Sequence, residues 1–310
     1  MFGIFLAIAL AAPIPELATL QDADARVAAI AWRLQTANAA LCTEIAPLAG
    51  FTVETLGQYQ PSVRAVVAAQ TGLGARPQVR DVVKGAPADL AGLQVGDVLS
   101  AINGVATSQD LPEQASYAAT ATAQAMIDAG LRAPPLVLRL LRGQAVRTVR
   151  IEGVPGCASQ VEIVTGENMN AQADGRYVQV SGSLVDFAAN DDELATVVAH
   201  ELAHNILHHP VRAENEKASR GIFARFGDGS AELRKTEFEA DRLAVWLIAR
   251  AGYDLDAVVP FWTRLGQKSV PETGPYPDWN ERTDRVAAAV AEVKSQRATG
   301  SDLKPVRLTE

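Results

Sequence analysis

The chain has 310 residues, 48% hydrophobic and 21% charged, with a net charge of −8. That length suits one large domain or two ordinary ones, and the composition is that of a globular chain, which excludes a disordered one. The acidic charge is dispersed, with no basic stripe and no aromatic–basic interleaving, so nucleic acid is excluded as a partner.

Phe2 to Ala12 is an unbroken apolar run ending in small residues and followed by Pro13-Ile14-Pro15. It is too short to span a bilayer and has the form of a secretory-signal core, with Ala9-Leu10-Ala11 as the cleavage candidate. No Lys or Arg precedes it, and a buried N-terminal strand or helix is the alternative. Residues 1–20 are read as a signal peptide, so a periplasmic or otherwise exported location is expected. No other stretch is a transmembrane candidate, and the mature chain is expected to be soluble. The two cysteines, Cys42 and Cys157, read as one disulfide if the chain is exported and as two buried thiols if it is not.

From Gln21 to about Leu48, Val27, Ile30, Leu34 and Leu41 recur near helical spacing, which predicts an amphipathic helix. Residues 21–76 are assigned as the N-terminal helical part of the catalytic domain. Residues 77–153 differ in texture. A strand candidate at Val79–Val83 leads into a turn, a short helix with a glycine end, a Gly96-Asp97 turn and a strand closing on Asn103-Gly104. An Ala-rich helix is expected over Leu111–Leu131. Strands follow at Leu136–Leu140 and Val146–Ile151, turned by Arg142-Gly143. The run from Gly85 to Gly104 resembles a PDZ domain of the bacterial protease-associated type. The resemblance implies capture of peptide C-termini by strand addition to a sheet edge, with Gly72-Leu73-Gly74 as candidate carboxylate loop. An ordinary turn there, and a PDZ fold used only as a spacer, are the alternatives.

Residues 154–310 form the expected catalytic part. Val161–Val164 and Tyr177–Val180 alternate as strands. Asn190 or Asp191 can cap the next helix, which begins with three acidic residues and is followed by Pro210. This helix carries His200-Glu201-Leu202-Ala203-His204, of H-E-x-x-H form, and all four histidines of the chain lie between His200 and His209. Histidines four apart share one helix face and can reach one ion, and Glu201 stands beside the same place as general base. A zinc site of this kind needs a third protein ligand. His208 shares the face but lies about 6 Å further along the axis, too far to join one tetrahedral ion. His209 is expected to point elsewhere as a structural helix-end residue. A second helical pattern from about Ala231 to Ala251, stopped by Gly252, carries Glu237 and Asp241 on one alanine-lined face, with Glu239 roughly opposite. Glu237 is the candidate ligand and Asp241 the candidate acceptor from a ligand histidine's distal nitrogen. A surface helix with scattered carboxylates is the bland alternative.

The HELAH helix, the later E-F-E-A-D segment, N-A-x-A-D-G from Asn170 and Ala251-Gly252-Tyr253-Asp254 together resemble the HtpX/CAAX-prenyl-protease-like family of zinc metallopeptidases, over about Val161 to Arg285. The resemblance implies an α+β architecture: a mainly helical gluzincin-type metallopeptidase domain with a small sheet, interrupted by the PDZ-like β domain. It implies one Zn2+ held by His200, His204 and Glu237, with Glu201 assisting attack of a zinc-bound water, and a substrate-pairing edge strand around Asn170 and Ala171. Family members often carry a His-Pro pair six residues ahead of an arginine. Here Tyr276-Pro277 and Arg282 stand in those places, making Tyr276 the candidate oxyanion donor and Arg282 a candidate supporting residue. The expected function is a zinc endopeptidase acting on unfolded or envelope proteins, with the PDZ part recruiting or gating substrate. The rival is a PDZ-bearing chaperone or adaptor with a structural or little-used metal site.

Overall fold

The computed structural model describes residues 15–164, 168–212, 228–268 and 278–306. The candidate cleavage site at Ala9–Ala11 and the candidate oxyanion donor Tyr276 lie outside the described residues. The fold is α+β, and the chain divides into two compact units, one of Met1–Asp22 with Ala49–Gly153 and the other of Ala23–Leu48 with Val154–Glu310. No described helix is long and apolar enough to cross a membrane.

The first unit is built on a sheet of order β2-β3-β4-β6-β7, comprising β2 (Phe51–Glu54), β3 (Gln78–Val82), β4 (Val98–Ile102), β6 (Leu136–Arg142) and β7 (Ala145–Ile151), with the short β5 (Val105–Ala106) paired to β4. All these pairings are antiparallel, and β6 and β7 form a hairpin whose register runs from Leu136 opposite Ile151 to Arg142 opposite Ala145. Helix α4 (Ala118–Arg132) packs Ala123, Ile127 and Leu131 into the core formed by Leu99, Ile102, Leu136, Leu138 and Leu140. Gly130 permits close packing: a Cβ there would lie 2.6 Å from both Asn103 Nδ2 and Leu136 Cδ1.

Two stretches depart from the sequence expectation. The helix predicted from Leu111 starts only at Ala118. The buried Arg64 donates to the carbonyls of Tyr59, Pro112 and Gln114, which holds the preceding segment in an irregular conformation. Residues 49–76 also group with the sheet of the first unit. Their strand β2 pairs with β3, and α2 (Arg64–Thr71) follows it.

In the second unit the predicted long helix ends early. Helix α1 spans Pro15–Ala37, and Ile45–Leu48 form β1, paired antiparallel with β8 (Val154–Cys157). That pairing sets Ile45 opposite Cys157, and a Cys42–Cys157 disulfide closes the same end with a Cα–Cα distance of 5.4 Å. A three-stranded sheet of order β10-β11-β9 follows, from β9 (Gln160–Val164), β10 (Ala171–Ala173) and β11 (Tyr177–Ser181). Strand β11 is parallel to β9 and antiparallel to β10, which leaves β10 as an edge. Helices α5 (Gly182–Phe187), α6 (Asp191–Ile206), α7 (Asp228–Arg250), α8 (Val258–Lys268) and α9 (Trp279–Thr299) complete the unit. Its core joins Ile30 and Leu34 of α1 to Val178 and Val180 of β11, Leu194, Val198 and Leu202 of α6, and Trp246 of α7.

Candidate metal centre

The start of α6 is strongly determined. Asn190 accepts a hydrogen bond from the Glu193 amide at 3.0 Å, and Glu193 accepts one from the Ala189 amide at 2.7 Å. Two amides at the helix start are thereby satisfied, and Asp191, Asp192 and Glu193 set negative charge against the positive end of the helix dipole. Arg264 donates to both Glu193 oxygens, at 2.7 and 2.9 Å, and holds that carboxyl below its usual range against the effect of burial. At the other end, the buried Asn205 ties the helix to the sheet region. It donates to the Tyr177 carbonyl and to Ser159 Oγ, and accepts from the Gly175 amide. His208 then adopts φ 55°, a left-handed backbone that ends the helix.

Helix α7 packs on α6, and the alanines at 199, 203, 240 and 244 are all buried, which suits a close approach of the two backbones. His200 Nε2 and His204 Nε2 lie 3.1 Å apart, Glu237 Oε2 is 3.5 Å from His200 Nε2, and Glu237 Oε1 is 3.6 Å from His204 Nε2. Ligand atoms about 2.0–2.1 Å from one tetrahedral ion are separated by about 3.3 Å. The observed separations, the two to Glu237 involving different oxygens, are near that value, and the three residues form a cluster able to hold a metal ion, with one atom from each within 4.8 Å of the others.

Behind the ligands, Asp241 Oδ1 lies 2.9 Å from His200 Nδ1, a close contact that does not meet hydrogen-bond geometry. Arg282 grips both Asp241 oxygens at 2.7 and 2.9 Å and reaches within 3.3 Å of Glu237. The rings of Trp262 and Trp279 lie 4.8 and 4.9 Å from the Arg282 guanidinium, and Trp262 meets the His200 ring edge-on at 5.4 Å. The site is thus walled by apolar rings on one side.

Metal-free electrostatics follow from this burial. Glu201 is pushed up to about 7 by its loss of solvent. Asp241 is held well below the carboxylate range, the burial penalty being outweighed by Arg282 and His200. Glu237 is likewise depressed despite burial, by His200 and Arg282. His204 is driven down by burial and by the charge of His200. Burial also acts to lower His200, but the adjoining Asp241 and Glu237 prevail and raise it. A dication needs the free Nε2 atoms of both rings, so metal binding competes with protonation of this pair.

The remaining candidate residues are placed as follows. Asn170 immediately precedes edge strand β10, with its amide donating to Ser181 Oγ and its carbonyl accepting from the Ser181 amide. Ala171 is the first residue of β10. Gly72 is the left-handed cap of α2, and its amide donates to the Ala68 carbonyl. Leu73 is buried with Leu17, Leu56 and Val67, and its amide donates to Thr71 Oγ1. Gly74 accepts from the Leu56 amide. Gly72 therefore works as a helix stop, and the amides of Gly72 and Leu73 are engaged within the chain.

Three residues of the site escaped the sequence reading. His209 does not point away: its Nδ1 lies 3.0 Å from His204 Nδ1 and its Nε2 lies 3.0 Å from Glu239 Oε2. Glu239 is off the ligand face, as helical spacing requires, yet it is buried against His209 and Arg212. Asn205 was unremarked. Projection along a continuous helix misplaces His209 because α6 ends before it. The clustering of all four histidines was the available signal.

Residues 141–223 match Peptidase family M48, and residues 78–127 match a PDZ domain. A curated relative, the putative beta-barrel assembly-enhancing protease of Vibrio cholerae serotype O1, is 32% identical over 34% of this chain and 28% of its own. The chain thus spans little more than a quarter of that relative's length. Among solved structures, the crystal structure of the HtrA3 PDZ domain bound to a phage-derived ligand is 22% identical, covering 36% of this chain and 89% of that one at a TM-score of 0.26. The sequence matches, together with the cluster of two histidines and a glutamate, support a metallopeptidase similar to Peptidase family M48 with a PDZ domain.

Proposed function

We propose that the protein is a zinc-dependent endopeptidase of the cell envelope. The observation that carries this reading is the convergence of His200, His204 and Glu237, with the two Nε2 atoms 3.1 Å apart and a different Glu237 oxygen 3.5 and 3.6 Å from each, and with Glu201 buried on the histidines' helix. Zinc held there would supply Lewis-acid polarisation of a peptide carbonyl and make an attacking water more acidic. Glu201 accepts the proton of that water and returns it to the departing amine nitrogen. Asp241 and Arg282 hold His200 and Glu237 in place for this. The edge strand β10 pairs with an extended substrate backbone next to α6, with Asn170 and Ala171 at its start. In the first unit, β2 is one of the two terminal strands of the sheet and is the proposed edge for a peptide end. The disulfide fits an oxidising, exported location.

The rival reading, a binding protein with a structural metal, calls for a site closed by four protein ligands. Among the described residues the cluster has three. Cleavage of casein or another unfolded protein, stopped by a chelator and restored by zinc, is expected. Glu201→Gln should retain zinc and lose at least about 100-fold in turnover. Undiminished cleavage by the zinc-loaded variant would sink the mechanism.

A further inference from the structure

His204 is backed by a second histidine and not directly by a carboxylate. Its Nδ1 lies 3.0 Å from His209 Nδ1, His209 Nε2 lies 3.0 Å from Glu239 Oε2, and Arg212 donates to that same oxygen at 3.0 Å. Both His209 and Glu239 are only 4% exposed. We infer that His209 is a positioning residue for His204, the middle link of a chain from the metal site through Glu239 to Arg212. The inference rests on the proposed metal site.

The proton order in this chain follows from the donor and acceptor atoms alone. A histidine that offers Nε2 to a cation carries its proton on Nδ1. His204 Nδ1–H must then donate to His209 Nδ1, which can accept only if His209 is neutral with its proton on Nε2. That Nε2–H in turn donates to the Glu239 carboxylate, and Arg212 fixes the carboxylate from behind. Each link has one donor and one acceptor, so the chain selects a single tautomer for both rings. It also resists rotation of the His204 ring about its Cβ–Cγ bond. Loss of such outer partners commonly weakens metal binding by about 10–100-fold.

The left-handed backbone at His208 makes this arrangement possible. A helix continued past Leu207 would carry position 209 round to another face. Breaking the helix at His208 brings His209 back against the ring of His204, with ring centroids 4.9 Å apart and nearly perpendicular.

The test compares zinc affinity, by competition against a chromogenic chelator, and the visible absorption of the cobalt-substituted protein. His209→Leu is expected to weaken zinc binding about 10–100-fold and to shift the cobalt spectrum. His209→Gln, whose side-chain oxygen can accept from Nδ1–H, is expected to recover part of both. Glu239→Gln, one link further out and away from the ligands, is expected to give a smaller shift in the same direction and serves if His209→Leu fails to fold. Zinc affinity and cobalt spectra equal to wild type in both His209→Leu and Glu239→Gln would overturn the inference. Failure of the wild type itself to take up one zinc would instead overturn the reading of the site on which the inference stands.

Discussion

On one flank of the candidate metal site, His200 lies against Asp241, and Asp241 is clasped by an Arg282 that is itself 7% exposed. On the other flank, His204 meets His209, then Glu239, and the last link, Arg212, has a side chain 36% exposed. The first flank is short and dry, the second longer and ending at water. In the dry flank every charge depends on its partner, because an unpaired charge there has no solvent to turn to. In the wet flank the terminal arginine is screened, and its partner Glu239 keeps His209 as a second contact. The same task, holding a histidine ring, is therefore coupled to stability on one side and much less so on the other.

The largest expected effect breaks the dry flank. Asp241→Ala leaves Arg282 buried without its main partner and should cost about 3–5 kcal/mol. Arg212→Gln on the wet flank should cost no more than about 1 kcal/mol. All four tryptophans, at 32, 246, 262 and 279, lie in the second unit, so denaturant unfolding followed by tryptophan fluorescence reports that unit alone. Equal losses from the two substitutions would abolish the distinction between the flanks.

A smaller effect concerns the frame that carries both. The Cys42–Cys157 bridge joins residues 115 apart in sequence, and opening it in Cys42→Ser/Cys157→Ser should cost about 2–4 kcal/mol. The same fluorescence measurement should show Asp241→Ala still far more damaging than Arg212→Gln in that background. Unchanged stability of the double serine variant would show that the β1–β8 pairing suffices without the bridge.

The smallest effect is pH-dependent and should leave the two flanks alike. Glu193 anchors the start of α6, and Arg264 holds its carboxyl below the ordinary value of 4.5. A depressed folded pKa gives stability that is complete above the unfolded value and is lost as pH falls through the folded one. Glu193→Gln should therefore melt below wild type at neutral pH, with the difference shrinking below about pH 4.5 and vanishing in stronger acid. A melting difference that stayed constant from pH 7 to pH 3 would mean that the ion pair contributes nothing.

How much of this was legible beforehand varied with the range of the interactions. The strand and turn chemistry of the first unit was readable because it is local: glycines at 92, 96 and 104 take positive φ where the sequence placed its turns. Glu237 and Asp241 were singled out by four-residue spacing, and the structure brings both to the α6 histidines. The end of α1 was missed because the Ala-rich pattern suits a helix through Leu48, whereas β1 forms there by pairing with β8, more than a hundred residues later. The glycine pair at 72 and 74 was singled out by composition alone. Its surroundings, a buried Leu73 and internally bonded amides, depend on packing that composition does not express.

The sequence by itself determined the two metal-site helices and their facing residues, since a 3.6-residue period and the N-terminal cap of α6 act within a few residues of one another. It likewise determined the PDZ pattern, whose turns each require particular residues. Only the tertiary structure decided what stands behind His204. The left-handed turn at His208 directs His209 back to His204, and the packing of α7 on α6 makes Glu239 its partner. Those contacts depend on where a helix stops and which backbone lies across from it, and both are set by long-range packing.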